Sequence, residues 1–333
     1  MNLNEKLNES GIYLNGLKGS FTKDGKGFQD EAGQPVTAPN IGVPAELLTY
    51  ISPEAIEVLT SPRNATKLFP EVIQGDWSTE AVKYRLDEMV GVAAPYGDFN
   101  ENGVSDVNNE YIKLDTFRIQ TMMKCGDLES ARNAAAKINL VSGKQKSAAN
   151  TLSAYSNKIY MYGIKGLNIY GILSAPQLPA ALVPATVGGN TDWAAKGANA
   201  IYDDVVRIMT NLETQSDGHI DANTKGKIAL SPRLNGYMSK KNEWGISVKK
   251  MIQDSYPNLE FVTVPEFHTQ AGDYVYIFAD EVMGNATGEC AAQVKMKTFP
   301  VIQEASSMKQ KAAAMASGFK LNLPFAISRM LVS

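Results

Sequence analysis

The chain has 333 residues, 44% of them hydrophobic and 20% charged, with a formal net charge of -3. That length suits two ordinary domains or one large core with insertions, and the mild acidity excludes a protein built to grip nucleic acid through bulk positive charge. Two cysteines, Cys125 and Cys290, are too few for a disulfide scaffold or a closed four-thiolate metal site.

Residues 1 to about 45 are polar, with Gly25-Lys26-Gly27, Pro35, Pro39 and Pro44 marking turns. Such a segment buries little apolar surface alone and reads as a tail or an arm ordered by a partner. The start lacks the apolar block of a signal peptide, so intracellular folding is expected. Ala45 to Leu59 carries an apolar helical pattern interrupted at Pro53.

From Phe69 to Cys125 the pattern becomes strand-like. Ala81 to Leu86 alternates, and Tyr111 to Ile119 does so more clearly, with the glycine-bearing polar stretch Val90 to Asn109 between them. The two runs predict a projecting two-stranded ribbon, which is marginally stable alone and must pack on something. Asp127 to about Gly163 then reads as one helix, roughly 55 Å long, with Asp127 as N-cap. Its apolar positions are Leu128, Ala131, Ala135, Ile138, Leu152, Tyr155, Ile159 and Tyr162; Gly143 and Lys144-Gln145-Lys146 mark a place for a kink or break, and Gly163 and Gly166 the stop.

Leu167 to Leu173 predicts a short apolar link turning at Gly171, and Pro176 to Gly189 a loop. Ile201, Val205, Ile208 and Leu212 form a helical stripe. Lys227 to Leu230 predicts a strand running into the cap Ser231-Pro232, followed by a helix over Ile246 to Ser255 and strands over Leu259 to Val264 and Tyr274 to Phe278. This alternation predicts an α/β unit over about 175–285. Ala291 to Phe299 and Phe319 to Ile327 predict strands separated by the alanine-rich, weakly helical or extended Ser306 to Ser317.

Signals for chemistry are weak. There is no G-x-S-x-G, phosphate loop or dinucleotide fingerprint, His219 and His268 stand far apart, and neither cysteine has ligand company, so neither catalysis nor a cofactor is expected. The most site-like stretch is Asp98 to Asp106, where Asp98, Asn100, Asn102 and Asp106 with Gly103 resemble the start of a calcium loop. Position twelve is Asn109, where a calcium loop needs a bidentate glutamate, so a plain Asx/Gly turn at the ribbon tip is the stronger reading; Asp217 to Asp221 reads as a turn as well. Lys144, Lys146 and Lys158 suit a solvated helix face. Arg63, Arg85, Lys113 and Arg118 are the candidates for ionic contacts between copies. No apolar run approaches the roughly 20 residues that span a bilayer, and no membrane partner is expected.

The order of elements, with Gly166-Leu167-Asn168-Ile169-Tyr170-Gly171-Ile172-Leu173 after the long helix, Lys227-Ile228-Ala229-Leu230-Ser231-Pro232, and the closing Phe319-Lys320-Leu321-Asn322-Leu323-Pro324-Phe325, resembles the major capsid proteins of tailed phages, whose fold is shared by encapsulin shells. The resemblance implies an α+β capsid fold in five parts. These are an N-terminal arm (1–60), an extended β-loop with its base (61–126), a spine helix and link (127–174), an inserted α/β axial domain (175–285) and C-terminal strands of the peripheral domain (286–333). It further implies a subunit that assembles as hexamers and pentamers into an icosahedral shell around double-stranded DNA. Portal and scaffolding proteins would be its partners, the host cytoplasm its site of assembly and the virion its destination. The alternatives are an encapsulin-like nanocompartment shell and a soluble α/β enzyme.

Overall fold

The computed structural model describes residues 63–96, 98, 103–135 and 140–333. The expected arm over 1–60 and the helical pattern Ala45 to Leu59 lie outside the described residues.

The chain enters through a short helix α1 (Ala65–Leu68) and strand β1 (Glu71–Ile73). Among the described residues, strands β2 (Ala81–Val92) and β3 (Val104–Asp115) pair only with each other, in an antiparallel ribbon. The pairing runs further than the composition suggests: Val92 still faces Val104, which shortens the expected tip of Val90 to Asn109 to 93–103. At Thr116 the expected single strand Tyr111 to Ile119 breaks, because Thr116 N–H turns to Glu80 O and β4 (Phe117–Gly126) joins a different sheet.

Helices α2 (Asp127–Ala135) and α3 (Leu140–Tyr162) fill the expected spine; residues 136–139 lie outside the described residues. Three expectations are corrected here. Asp127 is the first helical residue, its N–H bonding Ser306 O, while the Glu129 carboxylate reaches back to Gly126 N–H. Gly143 and Lys144 to Lys146 lie inside the continuous helix α3, so the helix does not break there. The packed stripe is Ala148, Leu152 and Ile159, whereas Leu128, Tyr155 and Tyr162 remain exposed.

Two sheets receive α3 and the rest of the chain. The four-stranded sheet has order β1-β11-β12-β4, with β11 (Gly288–Gln303) and β12 (Ser307–Leu321) as a long antiparallel hairpin. From Ser307 onward the alanine-rich stretch is therefore strand. Ala312 and Ala314 lie under Ala148 and Leu152 of α3, and their small side chains let helix and sheet approach closely. The other sheet runs β13 (Ile327–Val332)-β8-β5-β6, with β7 (His268–Thr269) on β8 (Gly272–Ala279). Parallel β5 (Gly226–Leu230) and β6 (Leu259–Thr263) match the expected strands. The Ser231 side chain caps α5 (Pro232–Tyr237) at Leu234 N–H, and Ser247 caps α6 (Val248–Ser255) at Lys250 N–H. Helix α4 (Ala198–Gln215) buries the predicted stripe Ile201, Val205, Ile208 and Leu212.

The last strand departs from expectation. Phe319 to Leu321 ends β12, and β13 (Ile327–Val332) pairs with β8 in the five-stranded sheet, away from the strands of 286–321. Each face of that sheet serves a different core. Ile228, Leu230, Val275 and Ile277 meet α4, α5 and α6, while Ala229, Tyr276 and Phe278 meet Phe69, Tyr160 and Phe319. A short two-stranded sheet of β9 (Glu281–Val282) and β10 (Asn285–Ala286) leads back to β11.

Where α3 ends, the quoted Gly166 to Leu173 link wedges between helix and sheet. A Cβ on Gly171 would lie 2.4 Å from Met161 O, and one on Gly318, at φ +87°, 2.4 Å from Tyr170 O. Backbone runs directly on backbone there: Ile172 N–H bonds Tyr160 O at 2.8 Å and Phe319 N–H bonds Tyr170 O at 2.7 Å.

Candidate assembly interface

The ribbon is anchored at one end and bare at the other. Strand alternation puts Tyr84 and Leu86 of β2 on one face with Ile112 and Leu114 of β3. Tyr84 and Leu114 are buried against the body, and Lys320 Nζ sits 3.9 Å from the Tyr84 ring centroid. Burial pushes the Tyr84 hydroxyl up to about 12, with Glu289 adding to the shift, and lowers the Lys320 ammonium. Asp115 closes the root: its N–H bonds Asn168 O, and its carboxylate accepts Asn168 N–H at 3.2 Å. That bond, then Lys113, holds the Asp115 carboxyl below its ordinary value.

Further out, both faces are open to solvent. Met89 is 90% exposed, Tyr96 93%, Val92 70% and Val104 65%. An unaccompanied two-stranded ribbon with bare apolar side chains needs a surface to cover it.

The four arginines and lysines singled out in the sequence are spread along this region, each with a partner in its own chain. Arg63 donates to Asn150 Oδ1 on α3 at 2.6 Å. Arg85 pairs with Asp87, and Lys113 with Asp115 at 3.1 Å, both half exposed on the ribbon. Arg118 donates to Trp77 O and Thr79 O and lies over the Trp77 ring at 5.7 Å.

The calcium-like stretch is not a single loop. Asp106 stands in β3 opposite Val90 and accepts Val107 N–H, whereas Asp98 accepts the Tyr96 hydroxyl; Asn100 and Asn102 lie outside the described residues. Among the described residues no cluster of three or more His, Cys, Asp or Glu is arranged to hold a metal ion. Asp217, at φ 49°, and Gly218 form the expected turn after α4. His219 is exposed, and His268 Nδ1 lies 2.8 Å from the buried Asp273 carboxylate, which Arg233 also engages. Cys290 is buried, and burial, with Glu71 adding, pushes its thiol far up.

Sequence reading missed a basic sheet face. On β4, Arg118, Gln120, Met122 and Lys124 point away from α3, while Ile119 and Met123 turn toward it. The register sets Lys311 opposite Met122 and Lys309 opposite Lys124, and Lys297 joins them through Ala313. Trp77 and Phe299 meet edge to face at 5.9 Å amid these cations. The alternation in Arg118-x-Gln120-x-Met122-x-Lys124 and Lys309-x-Lys311 was the available signal; the pairing that unites them spans about 190 residues. The sequence also gave no warning of the fully buried Asp204, which accepts Ala185 N–H, Trp193 Nε1–H at 2.8 Å and Lys196 Nζ at 2.6 Å.

Among solved structures, the fold is similar to the capsid of Myoviridae phage XM1, at 12% identity and TM-score 0.67 over 87% of this chain and 99% of that one. It is also similar to the capsid of the native GTA particle (11% identity, TM-score 0.62, 86% and 95% covered) and to a chain of Gordonia phage Cozz (12%, 0.53, 90% and 98%). No curated protein matches the sequence. The sequence model of the Pa193 gp26 major capsid protein family matches residues 34–332, and the chain belongs to that family: it is a capsid shell subunit.

Proposed function

We propose that copies of this chain, grouped as hexamers and pentamers, close into an icosahedral shell around a double-stranded DNA genome. The ribbon carries this reading: among the described residues it joins no second sheet, and it exposes Met89, Val92, Tyr96 and Val104. Sister molecules offer the covering it lacks, and many weak contacts of one kind add across a closed lattice. The work is geometric, confining a genome against pressure, and needs no covalent chemistry. Portal and scaffolding proteins complete assembly in the host cytoplasm. Arg63, Arg85, Lys113 and Arg118 border the lattice contacts. The parts are an arm at 1–60, an extended loop at 61–126 and a spine and link at 127–174. An axial domain at 175–285 and peripheral strands after 286 complete the set, with β13 returning to the axial sheet.

Electron microscopy of the purified chain, alone and with a co-expressed scaffold, tests this directly. Uniform closed particles or flat hexameric lattices are expected. Compact monomers persisting at high concentration under both conditions contradict it. Deleting 88–109 should leave the five-stranded sheet folded and abolish normal particles.

A further inference from the structure

Carboxylates vanish from one long stretch of this mildly acidic chain. Between Glu129 and Asp192 the 62 residues include no Asp or Glu, whereas Arg132, Lys137, Lys144, Lys146, Lys158 and Lys165 are basic. Asp and Glu make up 35 of the 333 residues, so 62 of average composition would hold six or seven. Helix α3 lies wholly inside this acid-free stretch.

The helix packs on the four-stranded sheet through Ala148 and Leu152. Beside that contact Ser147, Thr151, Tyr155, Lys158 and Tyr162 recur every three or four residues, so they share one face, and all five are exposed. Lys144 begins the row and Lys165, exposed in the turn after α3, prolongs it. At about 1.5 Å per residue the row runs roughly 27 Å from Lys144 to Tyr162, the reach of about eight phosphates along one DNA strand. The carboxylates at its ends are engaged within the chain: Glu129 holds Lys144 Nζ at 2.8 Å, and Glu266 accepts the Asn64 and Asn157 amides. Lys158 Nζ lies 5.6 Å from the Tyr155 ring centroid, and among the described residues neither it nor Lys165 enters an ion pair. The row therefore presents ammonium and hydroxyl groups, with no carboxylate and no aliphatic side chain among them.

We propose that this row touches the packaged double-stranded DNA. Lys158 and Lys165 meet its phosphates, and the hydroxyls of Ser147, Thr151, Tyr155 and Tyr162 donate to phosphate oxygens between them. The proposal rests on the shell reading and adds to it which side chains meet the genome and by what chemistry. Charge complementarity selects the partner, since a row of donors without carboxylates or aliphatic groups fits a regular polyanion better than an apolar protein surface. Phosphate contacts carry no sequence information, which suits a container for any sequence. Two free ammonium groups per copy hold weakly and are screened by salt, yet their effect multiplies over the many copies of a shell.

Lysine acetylation of DNA-filled particles, compared with the same particles after genome release, tests it. Lys158 and Lys165 should react about fivefold faster once the DNA has left, while Lys250, exposed on α6, reacts equally in both states. Slow reaction in both states would place protein on the row, and fast reaction in both would leave it in solvent; either overturns the proposal. Charge reversal supplies a second reading. Lys158→Glu with Lys165→Glu should leave subunit melting and shell yield as in wild type, while the share of particles retaining DNA on warming falls about threefold. Lys158→Arg with Lys165→Arg should retain DNA as wild type does, and equal retention in the Glu variant overturns the proposal. Failure of wild type itself to form DNA-filled particles would strike at the shell reading instead.

Discussion

The ribbon and the junction at the end of α3 are built on opposite terms. At the junction, backbone lies on backbone, Gly171 and Gly318 leave no room for a methyl group, and Tyr160, Phe69 and Phe319 are buried on both sides. In the ribbon, two strands satisfy half of each other's hydrogen bonds and leave apolar side chains in water. The first region is complete in one molecule. On the proposed reading, the second is completed by sister molecules.

The comparison can be broken hardest from the inside. Asp204→Ala strands the buried Lys196 ammonium and frees the Trp193 segment, at a cost of about 3–5 kcal/mol in subunit stability by chemical denaturation. Gly318→Ala drives a methyl group against Tyr170 O in a left-handed backbone, costing about 2–3 kcal/mol in the same measurement. The ribbon should respond in reverse. Met89→Ser with Val92→Ser should leave subunit stability within about 0.5 kcal/mol yet reduce particle yield by sedimentation, because these side chains touch little in their own chain.

Much of the interior was legible because burial imposes periodicity. The Ile201 to Leu212 stripe, the Lys227 to Leu230 strand and its Ser231-Pro232 cap stand where the pattern placed them. Ser306 to Ser317 was ambiguous because alanine serves both helix and strand, and its close fit beneath Ala148 and Leu152 settles the matter only in three dimensions. Strand β13 was misjudged for a related reason: its partner β8 lies about 50 residues upstream. The ribbon was visible as alternation, whereas the basic sheet face was not, since it exists only once β4 and β12 pair.

The smallest effect sharpens the boundary between the two regions. The Asp115 carboxyl is depressed by Asn168 N–H, so its contribution is present above the unfolded carboxylate value near 3.9 and lost as pH falls through the lower folded value. The protection factor of the Asn168 amide should therefore drop under acid below about pH 4, and Asp115→Asn should remove that dependence.

Hydrogen exchange, compared between unassembled subunits and closed particles, tests the central claim most directly. The account predicts that β5 and β8 are protected in both states, and that residues 81–92 and 104–115 gain strong protection only in particles. Equal ribbon protection in the isolated subunit, or free exchange within the shell, would contradict it.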